Sequence, residues 1–286
     1  MSNRVNQKAI VADIGGTNAR FATLDLKTFK LSMQKSYTCC DYDAIEALIR
    51  SYLLEHKLTD ISKAALAFAC PIHEGEMSMT NLPWRFTKEA LKSSHGFGEL
   101  LLLNDFEAIA LSLKSIPVNE LALIGEGNCC RDNAPKVIIG PGTGLGVAYL
   151  VYDNGKPISI TSEAGHMSFA PQTEKDVFIQ QYVSARYGRA SIERLISGPG
   201  LEDIYSALLK FYSVSKPSLS ASSITTLALN EQDTVAIEVT SLFLKYLASF
   251  AGDLALSINA YGGVYFAGGI LPKLLSLVAQ ESPHFK

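Results

Sequence analysis

The residues best suited to chemistry lie in two short loops of small residues, each of which follows an apolar run. In the first loop, Gly15, Gly16 and Thr17 come directly after Ile10 to Ile14. Glycine leaves backbone N–H groups open to phosphate oxygens, and the threonine hydroxyl adds a donor. The second loop, Gly140 to Gly146, repeats this arrangement around Gly142, Thr143 and Gly144. One such loop would be typical of an ordinary hairpin turn, but two matched loops favour phosphate binding.

The first loop also supplies a candidate metal contact. Asp13 lies too close to the proposed phosphate position to bind it directly, but it is placed to hold Mg²⁺ through water, which this ion usually retains. The common nucleotide motifs do not fit. The G-x-G-x-x-G spacing fails at Leu145 and Val147, and Gly269 and Ile270 stand where a P-loop needs Lys followed by Ser or Thr.

The elements that must position these loops are short apolar runs alternating with helical patterns, which indicates an α/β fold. Strands are predicted at Ala9 to Asp13, Ala64 to Ala69, Leu100 to Asn104, Val137 to Gly140 and Gly263 to Ala267, and helices at Tyr42 to Glu55 and Asp105 to Leu113. The polar segment Ser115 to Pro135 is the predicted crossing between domains. We therefore predict a small N-terminal domain over residues 1–115 and a larger one over residues 116–286.

Composition restricts the partners and the compartment. A net charge of −3 gives no basic patch for nucleic acid. The N-terminus has no secretory signal pattern, and the apolar segment Val235 to Asn259 carries charges that favour a core helix over a membrane span. The five cysteines show no C-x-x-C spacing, which favours reduced thiols, no zinc site and a cytoplasmic location.

Several ordered segments of the chain resemble the bacterial glucokinases, of the actin-like hexokinase superfamily. They are Val11 to Arg20, Leu103 to Phe106, Gly142 to Gly146, Glu163 to His166, Glu193 to Gly200 and Ala267 to Ile270. The related ROK sugar kinases carry a cysteine-rich zinc motif that this chain lacks, so it resembles the zinc-free branch.

The resemblance implies a two-domain, actin-like (ribonuclease H-like) fold with an interdomain cleft, and transfer of phosphate from ATP, with Mg²⁺, to the 6-hydroxyl of glucose. Asp105 then matches the catalytic base. The matching sugar-binding residues are Asn81, Asn104, Asp105, Glu163, His166 and Glu193. The matching nucleotide-binding residues are Ala12, Asp13, Ile14, Gly15, Gly16, Thr17, Gly142, Thr143, Gly144, Gly268 and Gly269.

Each of these residues also has a purely structural alternative. Asp105 could be a helix N-cap, His166 a core histidine with satisfied hydrogen bonds, and Glu193 part of a helix-start pattern. Glu163 and His166 resemble metal ligands but lack a third partner nearby in sequence. Gly268 and Gly269 could serve only tight strand-to-helix packing.

Other functions on the same fold stay open at this point. The substrate could be another hexose, or the protein could be a sugar sensor without catalytic activity, although the residues before the first strand leave no room for a DNA-binding motif. A homodimer would be in keeping with the family. Family members continue beyond Ala267 to Ile270 through a further strand and helix, so the resemblance also leads us to expect that this chain lacks those elements and catalyses less well.

Overall fold

The computed structural model describes residues 7–79, 81–125 and 131–280. The chain divides into two compact units, Met1–Ala108 and Ile109–Lys286, so the division falls inside a helix and before the position predicted after residue 115. Thr80, Cys129 and Cys130 lie outside the described residues, as do the first and last six residues of the chain.

A five-stranded sheet forms the centre of the first unit. Its strands are β1 (Lys8–Ile14), β2 (Asn18–Asp25), β3 (Leu31–Thr38), β4 (Lys63–Phe68) and β7 (Glu99–Asn104), and their order across the sheet is β3-β2-β1-β4-β7. The first three form an antiparallel meander, and β4 and β7 continue the sheet parallel to β1. A short hairpin of β5 (Met77–Ser78) and β6 (Arg85–Phe86) lies outside this sheet.

The helices of the first unit are α1 (Ile45–Glu55), α2 (Lys88–His95) and α3 (Asp105–Ser112), the last of which crosses the division. The apolar side of α1, which includes the fully buried Tyr52, belongs to the same hydrophobic core as β1, β4 and the buried Trp84. A left-handed Gly96 ends α2, as is usual for a helix that must turn directly into a strand.

The second unit repeats the same order of strands. Its sheet runs β10-β9-β8-β11, with β8 (Lys136–Pro141), β9 (Leu145–Asp153) and β10 (Lys156–Ser162) in an antiparallel meander and β11 (Val264–Phe266) parallel to β8. Every residue of β8 is buried, as expected for the central strand of a covered sheet. The repeated strand-loop-strand pattern predicted from the sequence is therefore confirmed.

Four longer helices cover the second unit. They are α4 (Glu174–Tyr187), α5 (Gly198–Phe211), α6 (Ala221–Leu229) and α7 (Thr234–Ile258), followed near the described end by the short α8 (Leu275–Gln280). Within the described chain, α7 is the one helix long and apolar enough to span a membrane, but 61% of its most apolar window is buried inside the protein. It packs against α5 and α6, so the prediction of a core helix at Val235 to Asn259 is confirmed.

A buried carboxylate links α4 to α7. The side chain of Asp176 is 1% exposed, and it accepts hydrogen bonds from the Tyr246 hydroxyl at 2.6 Å and from the amides of Gln172 and Thr173. Burial raises the pKa of this carboxyl, but these hydrogen bonds and the nearby Lys245 ammonium outweigh that effect and hold the pKa below its ordinary value. The charge therefore stabilises the fold only while its donors remain.

We predict that Tyr246→Phe lowers the free energy of unfolding by about 1 to 3 kcal/mol at pH 7, because a buried carboxylate oxygen loses its donor. The folded-state pKa of Asp176 is depressed, so the effect should be present above about pH 4 and shrink as the pH falls through that pKa. Urea unfolding at several pH values measures it. Tyr261→Phe is the matched control, since Tyr261 is 58% exposed. Equal stability of parent and Tyr246→Phe at pH 7 would contradict this account.

Candidate functional site

The first glycine loop is a tight turn between β1 and β2. The two strands pair in register up to Ile14 opposite Ala19, so Gly15, Gly16, Thr17 and Asn18 connect the last pair. The turn closes through the Gly15 amide, which donates to the Asn18 carbonyl at 2.9 Å. From the end of β3, the Cys39 amide donates to the Thr17 carbonyl at 2.8 Å, and its thiol lies 3.5 Å from the Gly15 carbonyl. The loop is thus held by backbone contacts rather than by its own side chains.

Three parallel strands end at the edge of the sheet where this loop lies. Ile14 pairs with Phe68, and Phe68 pairs with Asn104, so the carboxyl ends of β1, β4 and β7 are level. The predicted base Asp105 follows directly as the first residue of α3. Open α/β sheets place their ligands at this edge.

Asn104 fixes the start of α3. Its side-chain oxygen accepts from the Phe106 amide at 3.0 Å, while its nitrogen donates to the Cys70 carbonyl at 3.2 Å. The Asn104 amide in turn donates to the Glu107 carboxylate, as in a capping box. The capping position therefore belongs to Asn104, and the alternative that made Asp105 the N-cap is wrong.

The charge of one carboxylate of the first unit, Asp13, acts on another, Asp105. Burial raises the pKa of Asp105, the Phe106 amide that donates to it opposes this, and the negative charge of Asp13 raises it further. Asp13 itself is exposed and lies 3.4 Å from the Arg20 guanidinium. A carboxyl group with a raised pKa at the ligand edge of a sheet makes Asp105 a candidate for acid–base chemistry.

Asn81 lies against the first loop. A Cβ atom placed on Gly16 would come within 3.1 Å of the Asn81 side-chain nitrogen. A larger residue would therefore crowd Asn81 here, which favours glycine independently of any ligand. Among the predicted sugar contacts of the first unit, Asn81 lies beside the loop, while Asn104 and Asp105 lie at the carboxyl end of β7.

The second loop repeats the turn between β8 and β9. Pro141 pairs with Leu145, so Gly142, Thr143 and Gly144 form the connection, and the Gly142 amide donates to the Gly144 carbonyl at 2.8 Å. The first amide of α5, Gly198, donates to the Gly142 carbonyl, also at 2.8 Å. At the other end of the loop the Leu145 amide donates to the Glu193 carboxylate at 3.0 Å. Both ends of the loop are therefore anchored by the segment that precedes and opens α5.

Three predicted sugar-binding residues come together beside this loop. The His166 ring lies 3.7 Å from the Glu163 carboxylate and 3.9 Å from that of Glu193. The side chains of Glu163 and His166 are 74% and 60% exposed, so His166 is not a core histidine. Ser191 stands at the N-cap position of a one-turn 3₁₀ helix, Ile192–Arg194, with Glu193 in its first turn, so Glu193 does belong to a helix start, although the Ser191 side chain makes no capping hydrogen bond. These acceptors and the ring can hydrogen-bond several neighbouring hydroxyl groups at once.

Gly268 and Gly269 follow β11 beside the same loop. Gly268 has a positive φ of 86°, and a Cβ atom there would lie 2.6 Å from the Pro141 carbonyl oxygen, so packing and backbone conformation explain this glycine. A Cβ on Gly269 would meet nothing within 4 Å. Its surface is therefore open to a ligand.

Two further residues contribute to these sites and were not among the predicted site residues. Gly165 lies between Glu163 and His166, and a Cβ there would come within 2.4 Å of the Leu145 carbonyl oxygen. Cys70 lies beside Asp105, where burial, and then the charge of that aspartate, raise the pKa of its thiol to about 11. Its position near Asp105 follows from the pairing of β4 with β7, which no local pattern reveals. In the described part of the chain no group of three or more His, Cys, Asp or Glu side chains could hold a metal on its own.

Each unit thus combines a meander, a parallel strand and a glycine turn at the carboxyl edge of its sheet, which defines the class of two-domain, actin-like sugar kinases. A glucokinase from an Antarctic psychrotroph has this fold, with a TM-score of 0.84 and 32% identity over 98% of this chain and 88% of that one. A ROK-family glucokinase from Streptomyces griseus, crystallised with glucose and AMPPNP, shares the fold at 16% identity, with a TM-score of 0.63 over 97% of this chain and 89% of that one.

Sequence comparison identifies the family within this class. A glucokinase family model matches residues 10–285, and the glucokinase of Salmonella heidelberg is 39% identical over 267 residues, covering 93% of this chain and 83% of that relative. The chain belongs to the glucokinase family, which confirms the resemblance drawn from the ordered motifs.

We predict that Asp13→Asn lowers the pKa of Asp105, because it removes the negative charge that disfavours ionisation there. Carbon-13 NMR titration of labelled aspartate carboxyl groups measures this directly. Arg20→Gln is the control, since it removes the neighbouring cation and leaves the Asp13 charge in place. An unchanged or raised pKa of Asp105 in Asp13→Asn would contradict the predicted effect of the Asp13 charge.

Proposed function

We propose that this protein phosphorylates glucose at its 6-hydroxyl from ATP, giving glucose 6-phosphate and ADP. The observation that carries the proposal is membership of the glucokinase family over residues 10–285, with the family's polar residues present at both glycine turns. The Streptomyces griseus glucokinase forms a complex with glucose and the ATP analogue AMPPNP, which supports the same pair of substrates here.

In the first unit, we assign the role of general base to Asp105. The 6-hydroxyl must lose its proton as it attacks the γ-phosphorus, and a carboxylate within hydrogen-bond distance can accept that proton. As the O–P bond forms, the bond to the leaving ADP oxygen breaks. Asn104 supports this role by fixing the start of α3, so that the Asp105 side chain is held at the edge of the sheet.

Sugar recognition in the second unit is assigned to Glu163, His166 and Glu193. A carboxylate can accept hydrogen bonds from two adjacent hydroxyl groups, and the imidazole can donate or accept, so this set suits a neutral ligand rich in hydroxyl groups. In the first unit we assign sugar contacts to Asn81 and Asn104. The side chain of Asn104 already contacts Cys70 and Phe106, which limits the orientations it can offer a sugar.

Nucleotide binding is assigned to the residues of both turns, namely Ala12 to Thr17, Gly142 to Gly144, Gly268 and Gly269. The exposed Asp13 carboxylate, close enough to Asp105 to influence its pKa, fits a Mg²⁺ ion held through water. Such an ion, when bound, neutralises charge on the phosphate oxygens. The residues of this chain then have to hold the phosphates and orient the sugar.

The cellular location and the oligomeric state of the enzyme are also proposed. The described cysteines Cys39, Cys40 and Cys70 are free thiols, which supports a reducing, cytoplasmic location. A homodimer stays a prediction that light scattering can test.

The proposed activity is tested by following ADP release from ATP with a panel of hexoses. We expect ADP release that depends on added sugar, with glucose the best substrate among glucose, mannose, fructose and glucosamine. Preference for another hexose would keep the enzyme class and change the substrate, because epimer selection depends on small displacements of the hydroxyl-binding groups. Glucose binding without any ADP release would instead favour a sugar sensor.

We predict that Asp105→Asn lowers kcat by on the order of 10² to 10⁴, the usual contribution of a general base, and leaves glucose affinity near that of the parent. Calorimetry gives the affinity and single-turnover kinetics give the chemical step. Asp60→Asn, at an exposed position of the first unit, is the matched control. Because the pKa of Asp105 is raised, kcat/KM of the parent should fall at a higher pH on the acid side than an ordinary aspartate would give. Near-normal turnover in Asp105→Asn would remove the residue from this role.

A further inference from the structure

Glu193 contacts two parts of the second unit that serve different substrates in the proposed function. One carboxylate oxygen, Oε2, accepts the Leu145 amide hydrogen at 3.0 Å, at the end of the second glycine loop. The other, Oε1, faces the His166 ring at 3.9 Å, among the proposed sugar contacts. The side chain is 24% exposed, much less than Glu163 or His166, so its orientation is restricted by its surroundings.

The space around this contact is tight. A Cβ atom on Gly144 would come within 2.7 Å of Glu193 Oε2, so only glycine leaves the carboxylate in its present position. On the other side, the backbone of Gly165 packs against the Leu145 carbonyl oxygen, which a Cβ would approach to 2.4 Å. The Leu145 peptide is therefore held between Glu193 and the short segment that carries Glu163 and His166.

The other end of the loop is connected to the same segment of chain. Gly198, the first residue of α5, donates its amide to the Gly142 carbonyl at 2.8 Å. Only a few residues separate Glu193 from Gly198, and the amides of Leu195 and Ile196 both donate to the Ile192 carbonyl, so this stretch is a compact turn. A displacement of Glu193 therefore acts on both ends of the loop.

We infer that Glu193 is a positioning residue for the second glycine loop as well as a sugar contact, so that glucose and nucleotide strengthen each other's binding. This inference rests on the proposed function. Hydroxyl groups that hydrogen-bond Glu193 restrict its carboxylate, which holds the Leu145 amide and pre-orders the loop for the phosphates. Such a coupling must be reciprocal, so nucleotide also raises the affinity for glucose.

The test measures the affinity of the full chain for AMP-PNP with Mg²⁺ by calorimetry, with and without saturating glucose. In the parent we expect glucose to tighten nucleotide binding by about fivefold or more. In Gly144→Ala the new methyl group displaces Glu193 from the Leu145 amide, so the ratio of the two affinities should fall to about one, although glucose is still supplied at saturation.

Gly142→Ala is the matched comparison, because a Cβ there meets nothing within 4 Å and leaves Glu193 undisturbed. Both glycines belong to the proposed nucleotide loop, so the quantity compared is the ratio of affinities with and without glucose, not the nucleotide affinity itself. That ratio should stay near the parent value in Gly142→Ala. Glu193→Gln should also keep part of the effect of glucose on nucleotide affinity, because the amide oxygen of glutamine can still accept the hydrogen bond from the Leu145 amide.

A second measurement uses the unaltered protein. Addition of glucose alone should shift the Leu145 amide signal in ¹H–¹⁵N NMR, because the carboxylate that accepts this hydrogen bond changes its other partners. A Leu145 signal that stays fixed while glucose binds would overturn the inference, as would a ratio in Gly144→Ala equal to that of the parent. A parent that binds both ligands without mutual effect would overturn only the inference. A parent that binds neither would overturn the proposed function and the inference together.

Discussion

The proposed sites depend on one constraint. In each unit, the first strand of the meander pairs in parallel with a strand from later in the chain. In the first unit the pairing of β1 with β4, and of β4 with β7, brings Ile14 and Asn104 to the same edge, so that Asp105 begins a helix beside the glycine turn. In the second unit β11 pairs with β8, which brings Gly268 to the Pro141 carbonyl. A shift of either register by one residue would turn these side chains to the opposite face.

The two units stabilise the charges of their carboxylates in different ways. In the first, burial and the Asp13 charge both disfavour ionisation of Asp105, and the donors that oppose them come from the opening of α3. Fixing Asn104 therefore matters for the charge state of Asp105 as well as for its position. In the second unit, His166 lies close to two carboxylates that are largely exposed or hydrogen-bonded to the backbone. Exposure keeps the desolvation cost of the Glu163 carboxylate low, whereas the less exposed Glu193 carboxylate is compensated by the hydrogen bond from the Leu145 amide.

Local sequence patterns predicted those parts of the fold that depend on neighbouring residues. The strands at Ala9, Ala64, Leu100 and Val137 and the long helix at Val235 were located to within a few residues, because apolar periodicity and glycine turns are short-range signals. The contacts of Glu193 with Leu145 and of Asn104 with Cys70 join residues far apart in sequence, and only the folded chain reveals them. The motif resemblance named Glu193 as a sugar contact, but gave no reason to link it to the loop.

The glycines of the second unit show why a motif alone does not identify a ligand. Gly144 leaves room for the Glu193 carboxylate, which a Cβ would displace, and Gly268 is required by its positive φ and by the Pro141 carbonyl, so packing and backbone conformation account for both without a nucleotide. Gly142 and Gly269 have no neighbour within 4 Å of the position where a Cβ would stand. Nothing in the packing of the described chain around these positions calls for glycine at either one, and neither has a φ in the left-handed region. Close approach of a phosphate or nucleoside to the backbone would explain why these two positions carry glycine. The physical case for a nucleotide in this unit therefore rests on Gly142 and Gly269 rather than on the number of glycines in the motif.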